Sequence, residues 1–295
     1  MKFSLSCLLF VFMAQTIFAQ TDSLSPKEQE RIMDSINNSF TYLEGEIKLS
    51  NNTILLKVPQ DYKFLDAKQS RMVLEDLWGN LKDETVLGML FPKENGPLLE
   101  KSWAFVVSYD EMGFVKDDDA KDMNYDDLLK ELKEDNQAAN VERKKQGLQE
   151  IVMVGWAEKP YYDNDKKTLH WAREFSTDVK PNTLNYDLRI LGRKGVLSMN
   201  AVATMDELEI VKNQIGLIRN SAQFTEGNNY SSFNSSTDKI AAYTIGGLVA
   251  GKLLAKVGLF ALLLKNIKLI GLGIVGLFAG LRKWWQRRQG SVYKN

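Results

Sequence analysis

The chain has one cysteine, one histidine and six prolines in 295 residues, and no acidic residue follows Asp238. Each scarcity closes a line of chemistry. Cys7 lies inside the apolar run Leu5–Phe18, which follows the charged start Met1-Lys2 and precedes Ile17-Phe18-Ala19, a small-residue cleavage site. That layout reads as a secretory signal peptide over residues 1–19, with an uncleaved signal-anchor as the alternative. After cleavage no thiol remains, so disulfides, thiolate metal sites and cysteine nucleophiles are excluded together. A lipoprotein reading of Leu5-Ser6-Cys7 fails, because the residues before the thiol are too few to hold both a charged and an apolar region. His170 alone cannot build a zinc site that needs two histidines, and no Gly-x-Ser-x-Gly elbow accompanies it for a Ser-His-Asp triad.

The missing acids divide the chain. Residues 20–239 carry 28 basic and 38 acidic side chains, a net of −10, whereas residues 240–295 carry nine basic and none acidic. The net negative body disfavours nucleic acid. The tail ends in Arg282-Lys283-Trp284-Trp285-Gln286-Arg287-Arg288, which reads as a membrane segment with a cytosolic stop signal. One span is expected at Val257–Leu281, since a helix needs roughly 20 residues to cross a bilayer core. The body then lies outside the cytosol and Arg282–Asn295 inside, with lipid as a partner. Lys265 and Lys268 near the middle cost about 2.5–3.5 kcal/mol each at the bilayer centre, so they are expected to snorkel or face a partner helix. Gly276 and Gly280 are spaced for close helix packing, and Arg282, Trp284 and Trp285 mark the inner interface. Residues 239–256 are expected as an amphipathic lead-in helix on the outer surface. The alternatives are a span at Ile240–Leu264, or a re-entrant hairpin.

Between signal and tail the pattern is that of one folded domain at 45–238, preceded by a helical segment at 20–44. Ser25-Pro26-Lys27-Glu28 is a capping box opening a short helix. Gly45–Leu49 and Thr53–Val58 read as strands around Asn51-Asn52. Asp66 with Gln69 starts a helix whose buried face holds Met72, Val73 and Leu77, and Gly79 ends it. Val86–Phe91, Trp103–Tyr109, Ile151–Val154 and Leu169–Ala172 look extended. Asn124 and Asp127 cap a helix through about Ala139. Leu184–Leu191 and Val196–Val202 flank Gly192-Arg193-Lys194-Gly195, a hairpin signal, and a helix follows over Asp206–Asn220. Hairpins outnumber crossovers, so the fold class expected is α+β, an antiparallel sheet with packed helices followed by a C-terminal transmembrane helix.

Four motifs invite chemistry. Asp117-Asp118-Asp119 with Asp122, Asp126 and Asp127 suggests calcium, but Lys121 and Asp122 fall where an EF-hand needs an oxygen ligand and a glycine. The acids are read instead as a turn and a helix start, and no metal is expected. Gly271-Leu272-Gly273-Ile274-Val275-Gly276 matches a dinucleotide fingerprint, yet it lies in the apolar tail with no acid downstream, so no cofactor is expected. Glu158 and Asp163 are the carboxylate pair to inspect for glycosidic chemistry, beside Trp156, Tyr161 and Tyr162. His170, in an alternating strand, completes the catalytic candidates. Trp156, Tyr161, Tyr162 and Arg193 are the binding candidates.

A set of strings then stands out in order. They are Trp78-Gly79-Asn80, Gly88-Met89-Leu90-Phe91-Pro92, Gly113-Phe114-Val115-Lys116-Asp117-Asp118-Asp119-Ala120, and Gly155-Trp156-Ala157-Glu158-Lys159-Pro160-Tyr161-Tyr162-Asp163. Leu169-His170-Trp171-Ala172, Leu184-Asn185-Tyr186 and Leu191–Asn200 complete it. From about Gly45 to the end the chain resembles the bacterial family catalogued as domain of unknown function 2167, described as predicted membrane-anchored proteins. The resemblance implies a single-pass protein of the bacterial cell membrane and brings no catalytic residues. The hairpin, long helix and Phe224 also resemble the last third of PsbP/Mog1-like domains, which are α+β and usually non-enzymatic.

Two readings of function follow. The first is a non-catalytic module tethered to the membrane, binding an envelope protein or another envelope component. The second is an envelope hydrolase acting on glycan or peptide through carboxylates. An enzyme needs convergent titratable groups in a concave site, whereas a binding module needs an exposed apolar or aromatic patch.

Overall fold

The computed structural model describes residues 25–251 other than 81, 99–101, 146 and 179. In chain order the elements are α1 (Pro26–Asn37), β1 (Glu46–Leu49), β2 (Ile54–Lys57), β3 (Tyr62–Asp66), α2 (Ala67–Arg71, continued by a wider π turn at Met72–Leu77), β4 (Val86–Pro92), β5 (Ala104–Asp110), β6 (Phe114–Lys116), α3 (Tyr125–Lys145), β7 (Val152–Asp163), β8 (Thr168–Ser176), β9 (Thr183–Leu191), β10 (Val196–Thr204), α4 (Leu208–Ser221), β11 (Ala222–Phe224), β12 (Ile240–Thr244) and α5 (Ile245–Ala250). Local chemistry explains several boundaries. Ser25 Oγ donates to Glu28 Oε2 at 2.6 Å and accepts from the Glu28 amide, closing the capping box that opens α1. Asp66 caps α2 by accepting from the Gln69 amide at 2.9 Å.

Seven strands make one antiparallel sheet in the order β3-β4-β5-β10-β9-β8-β7. A second antiparallel sheet runs β1-β2-β11, and β12 pairs with β6 in parallel. The class is α+β, as the hairpin-rich pattern implied. The hairpin at Gly192–Gly195 joins β9 to β10 with Leu191 opposite Val196. Gly195 packs so close to the Asp110 carbonyl that no Cβ fits there.

The two-residue period of β9 and β10 sorts their side chains. Leu184, Tyr186, Leu188, Leu197, Met199 and Ala201 lie in one buried cluster with Val211, Ile215 and Ile218 of α4. On the opposite face, Leu169, Trp171 and Phe175 of β8 pack with Leu128 and Leu132 of α3 and with Ala241, Ile245 and Val249. Val73, Leu74 and Trp78 pack with Met89, Phe91 and Val106 in a third cluster.

Four expectations are corrected. Met72 is 47% exposed, and Val73 and Leu74 are buried, because the π turn adds a residue to the turn and rotates the face. Helix α3 continues past Ala139 to Lys145, since Asn136 and Asn140, one turn apart, bond the backbone of Ile151 and Met153. The extended segment expected at Ile151–Val154 runs on to Asp163, so Trp156–Tyr162 is part of the edge strand β7. The amphipathic lead-in helix expected at 239–256 is, in its described part, strand β12 and then the six-residue α5. Ala241, Ile245 and Val249 are buried in the second cluster, so the apolar side chains of this stretch serve the core and not an outer surface. Ile240–Thr244, where an alternative span at Ile240–Leu264 would begin, is strand and not helix.

The signal peptide, the span at Val257–Leu281 and the tail lie outside the described residues. Among the described residues no helix is long and apolar enough to cross a membrane.

Candidate functional site

Strand β7 is the outermost strand of the large sheet, and its register with β8 slips at three places. Glu158 lies opposite Ala172 and Tyr161 opposite His170, so β7 uses three residues where β8 uses two. Such a bulge reverses the alternation beyond it and re-aims side chains. Consecutive Tyr161 and Tyr162 serve opposite faces, as strand neighbours do, and the bulge before them decides which takes which. The Tyr161 ring sits 5.4 Å from the His170 ring, whereas Tyr162 Oη donates to Asp117 Oδ2 at 2.6 Å.

The face toward α4 gathers the three catalytic candidates. Glu158 pairs with Lys212 at 2.5 Å, and Asp163 meets Arg219 at 3.9 Å. His170 Nδ1 and Tyr186 Oη share a hydrogen bond of 3.1 Å. Burial pushes the imidazole below its ordinary value, so His170 is neutral at neutral pH. Burial likewise pushes the Tyr186 phenol up, so it stays protonated. Each carboxylate thus faces a cation on α4, and the histidine is held by a phenol where a triad would place a serine.

On the other side, a cleft of about 530 Å³ is lined by Asp117, Asp118, Lys121, Tyr125, Tyr161 and Tyr162, with Pro160 and Asn164 at its border. Its fixed point is Asp117. Oδ2 accepts from Tyr162 and from Lys167 Nζ at 2.8 Å, and Oδ1 accepts from Tyr230 Oη at 3.1 Å. Burial alone raises this carboxyl, but the three donors outweigh it and hold it below the usual carboxylate range. Lys167 takes a positive φ of 51° in the β7–β8 turn, and its ammonium lies 5.0 Å over the Tyr230 ring. Trp156 does not line the cleft. Its Nε1 donates to the Tyr125 carbonyl at 3.1 Å, which pins the wall.

The acidic run is therefore split in function. Asn124 caps α3 through the Asp126 and Asp127 amides, as expected of a helix start. Asp119 accepts from the Ile245 and Gly246 amides at 3.1 and 3.0 Å, capping a helix far along the chain.

Residues 41–279 match the family described as protein of unknown function, DUF2167. The chain belongs to that family. No curated protein matches it. Among solved structures it is similar to the solution structure of cyanobacterial PsbP (CyanoP) from Synechocystis, at 9% identity, over 63% of this chain and 92% of that one, with a TM-score of 0.33.

In this DUF2167 chain Arg193, a binding candidate by sequence, is committed to the fold. Its guanidinium donates to both Asp238 oxygens at 2.7 and 3.0 Å and to the Gly227 carbonyl at 3.2 Å. Arg193 and the Asn234 amide hold the Asp238 carboxyl at about 2. A cavity of about 400 Å³ beside this clasp is bordered by Glu111, Lys194, Thr237 and Lys239. Lys167 and Tyr230, the other two donors of the Asp117 cage, escaped the sequence reading. Neither carries a local signal, since each reaches Asp117 only through the folded topology.

Proposed function

We propose that this chain is a membrane-tethered, non-catalytic binding module of the bacterial cell envelope, and that the tyrosine-walled cleft at the β7 edge takes its partner. The body lies outside the cytosol. Lys265, Lys268, Gly276, Gly280, Arg282, Trp284 and Trp285 serve as the membrane anchor, with Arg282–Asn295 inside. The observation that carries the reading is the state of Asp117. Its carboxylate is engaged by Tyr162, Lys167 and Tyr230, so the cleft presents aromatic surface around a charge already satisfied. Tyr161, 57% exposed, borders that surface. The test is a photo-crosslinking residue in place of Tyr161, with capture from detergent-solubilised membranes. One stoichiometric adduct, lost when the crosslinker is moved to exposed Ile210, supports the module. Labelling no stronger at 161 than at 210 overturns the cleft. A reporter that works only in the cytosol, fused after Asn295, is expected to be active.

The hydrolase reading draws support from one observation, the convergence of Glu158, Asp163 and His170 on the α4 face. Release of soluble fragments from cell-wall material by the purified chain, abolished in Glu158→Gln, would replace the module with the enzyme.

A further inference from the structure

We infer that the ligand of the β7-edge cleft is a neutral, hydroxyl-rich oligosaccharide. The inference rests on the binding-module reading and specifies its partner. Three features of the cleft converge on this class. The first is charge. Asp117 is offset at 2.8 Å by Lys167 from outside the lining, and Asp118 shares the lining with Lys121, so there is one basic side chain for each acid of the cleft. A lining so balanced creates no field that selects an anion or a cation.

The second is its open hydrogen-bonding inventory. Among the described residues the Asp118 carboxylate, the Lys121 ammonium and the Tyr125 hydroxyl of the lining have no hydrogen-bond partner. Asn164 uses its carbonyl for Lys167 at 3.1 Å and keeps its amide N–H groups. An acceptor, an ammonium donor, a hydroxyl and an amide suit a ligand that both donates and accepts at many points, as sugar hydroxyls do. The third is shape. A cavity of about 530 Å³ is within the range of small-ligand sites, and the Tyr125 and Tyr162 rings give flat apolar surface for the C–H face of a pyranose. The wall is already ordered, with Tyr162 held by Asp117 and the Tyr125 carbonyl held by Trp156, so binding does not bear the cost of immobilising it.

The experiment is a calorimetric titration of the full chain in a detergent without sugar head groups. The probes are chitotetraose and cellotetraose, with tetraglucosamine and tetragalacturonate as charged counterparts. Vesicles of phosphatidylglycerol with and without a glucosyl diacylglycerol, presented to detergent-free chain in nanodiscs, distinguish a glycolipid head group from a soluble glycan. Binding of a neutral tetrasaccharide, or of the glucosyl vesicles alone, supports the inference. Tyr125→Ala is expected to weaken it about tenfold or more at equal folded fraction, Tyr125→Phe less, and Lys121→Ala less again. Absence of heat with every neutral sugar, preference for a charged counterpart, or undiminished binding by folded Tyr125→Ala overturns it. If a protein is captured through position 161 while no sugar binds, the module reading stands and the carbohydrate falls. If the tetrasaccharide is cleaved, the non-catalytic reading falls instead.

Discussion

Asp187 accepts from Arg173 at 2.9 Å inside the large sheet, where the two side chains are 2% and 9% exposed. Its other oxygen accepts from Arg189 at 2.8 Å, so one carboxylate stands between two guanidiniums. Arg189 also donates to Ser198, and Asn185 and Asn200 are hydrogen-bonded beside the pair. Asp187→Ala removes the carboxylate that both guanidiniums contact and is expected to cost about 3–5 kcal/mol in urea unfolding. Replacing partners together, as Arg173→Met with Asp187→Leu, is expected to recover part of that loss. A double variant no more stable than Asp187→Ala would show that the charge was not the cause.

Asn140 clasps β7 from helix α3. Its amide donates to the Ile151 carbonyl at 2.8 Å and its carbonyl accepts from the Ile151 amide at 3.0 Å. Asn140→Ala improves helix propensity yet strands the Ile151 amide, while the Ile151 carbonyl keeps Asn136 at 2.9 Å, so a net loss of about 1–3 kcal/mol is expected. Equal or higher stability in thermal unfolding would refute the clasp.

His170 makes stability depend on pH with a definite sign. Its folded pKa is below the ordinary value because of burial, so the unfolded chain binds the proton first as pH falls. The stabilisation is present above the unfolded value of about 6.5 and is lost as pH drops from there toward the folded value. Asp117 and Asp238, both depressed, lose theirs only below the ordinary carboxylate value of 3.8. Between pH 7 and about 5, His170→Gln is therefore expected to flatten the dependence of melting temperature on pH. An unchanged slope would assign it to other groups.

Calcium is expected to leave the melting temperature unchanged at millimolar concentration. Asp117 is occupied by Lys167, Tyr162 and Tyr230, and Asp119 by two backbone amides, so a cation would have to displace donors already in place. A rise of several degrees that disappears in Asp119→Ala would prove the spacing argument wrong.

Much of the fold was legible because its signals are local. The Ser25–Glu28 box, the Asp66–Gln69 start and the Gly192–Gly195 hairpin each rest on residues within one turn of the chain. The helix at Leu208–Ser221 announced itself through Val211, Ile215 and Ile218 at helical spacing. Errors fell where tertiary context overrode a local pattern. Residues 240–250 carry enough apolar character for a surface helix, but β6 offers Ile240–Thr244 a partner strand and the core takes Ile245. Which of Tyr161 and Tyr162 faces α4 was illegible, because alternation counted along β7 cannot reveal where a bulge will reverse it.

The sequence by itself determined the α+β class, the family, and, through its single histidine, that the chain builds no multi-histidine site, all of which follow from residue inventory and short-range pattern. Only the tertiary structure decided what the polar residues do. It sent Glu158 and Asp163 to cations on α4, tied Arg193 to Asp238, and closed Lys167, Tyr162 and Tyr230 around Asp117. The physical reason is range. Helices and hairpins are set by neighbours a few residues apart, whereas a charged side chain takes its role from whatever partner the topology brings within hydrogen-bond reach.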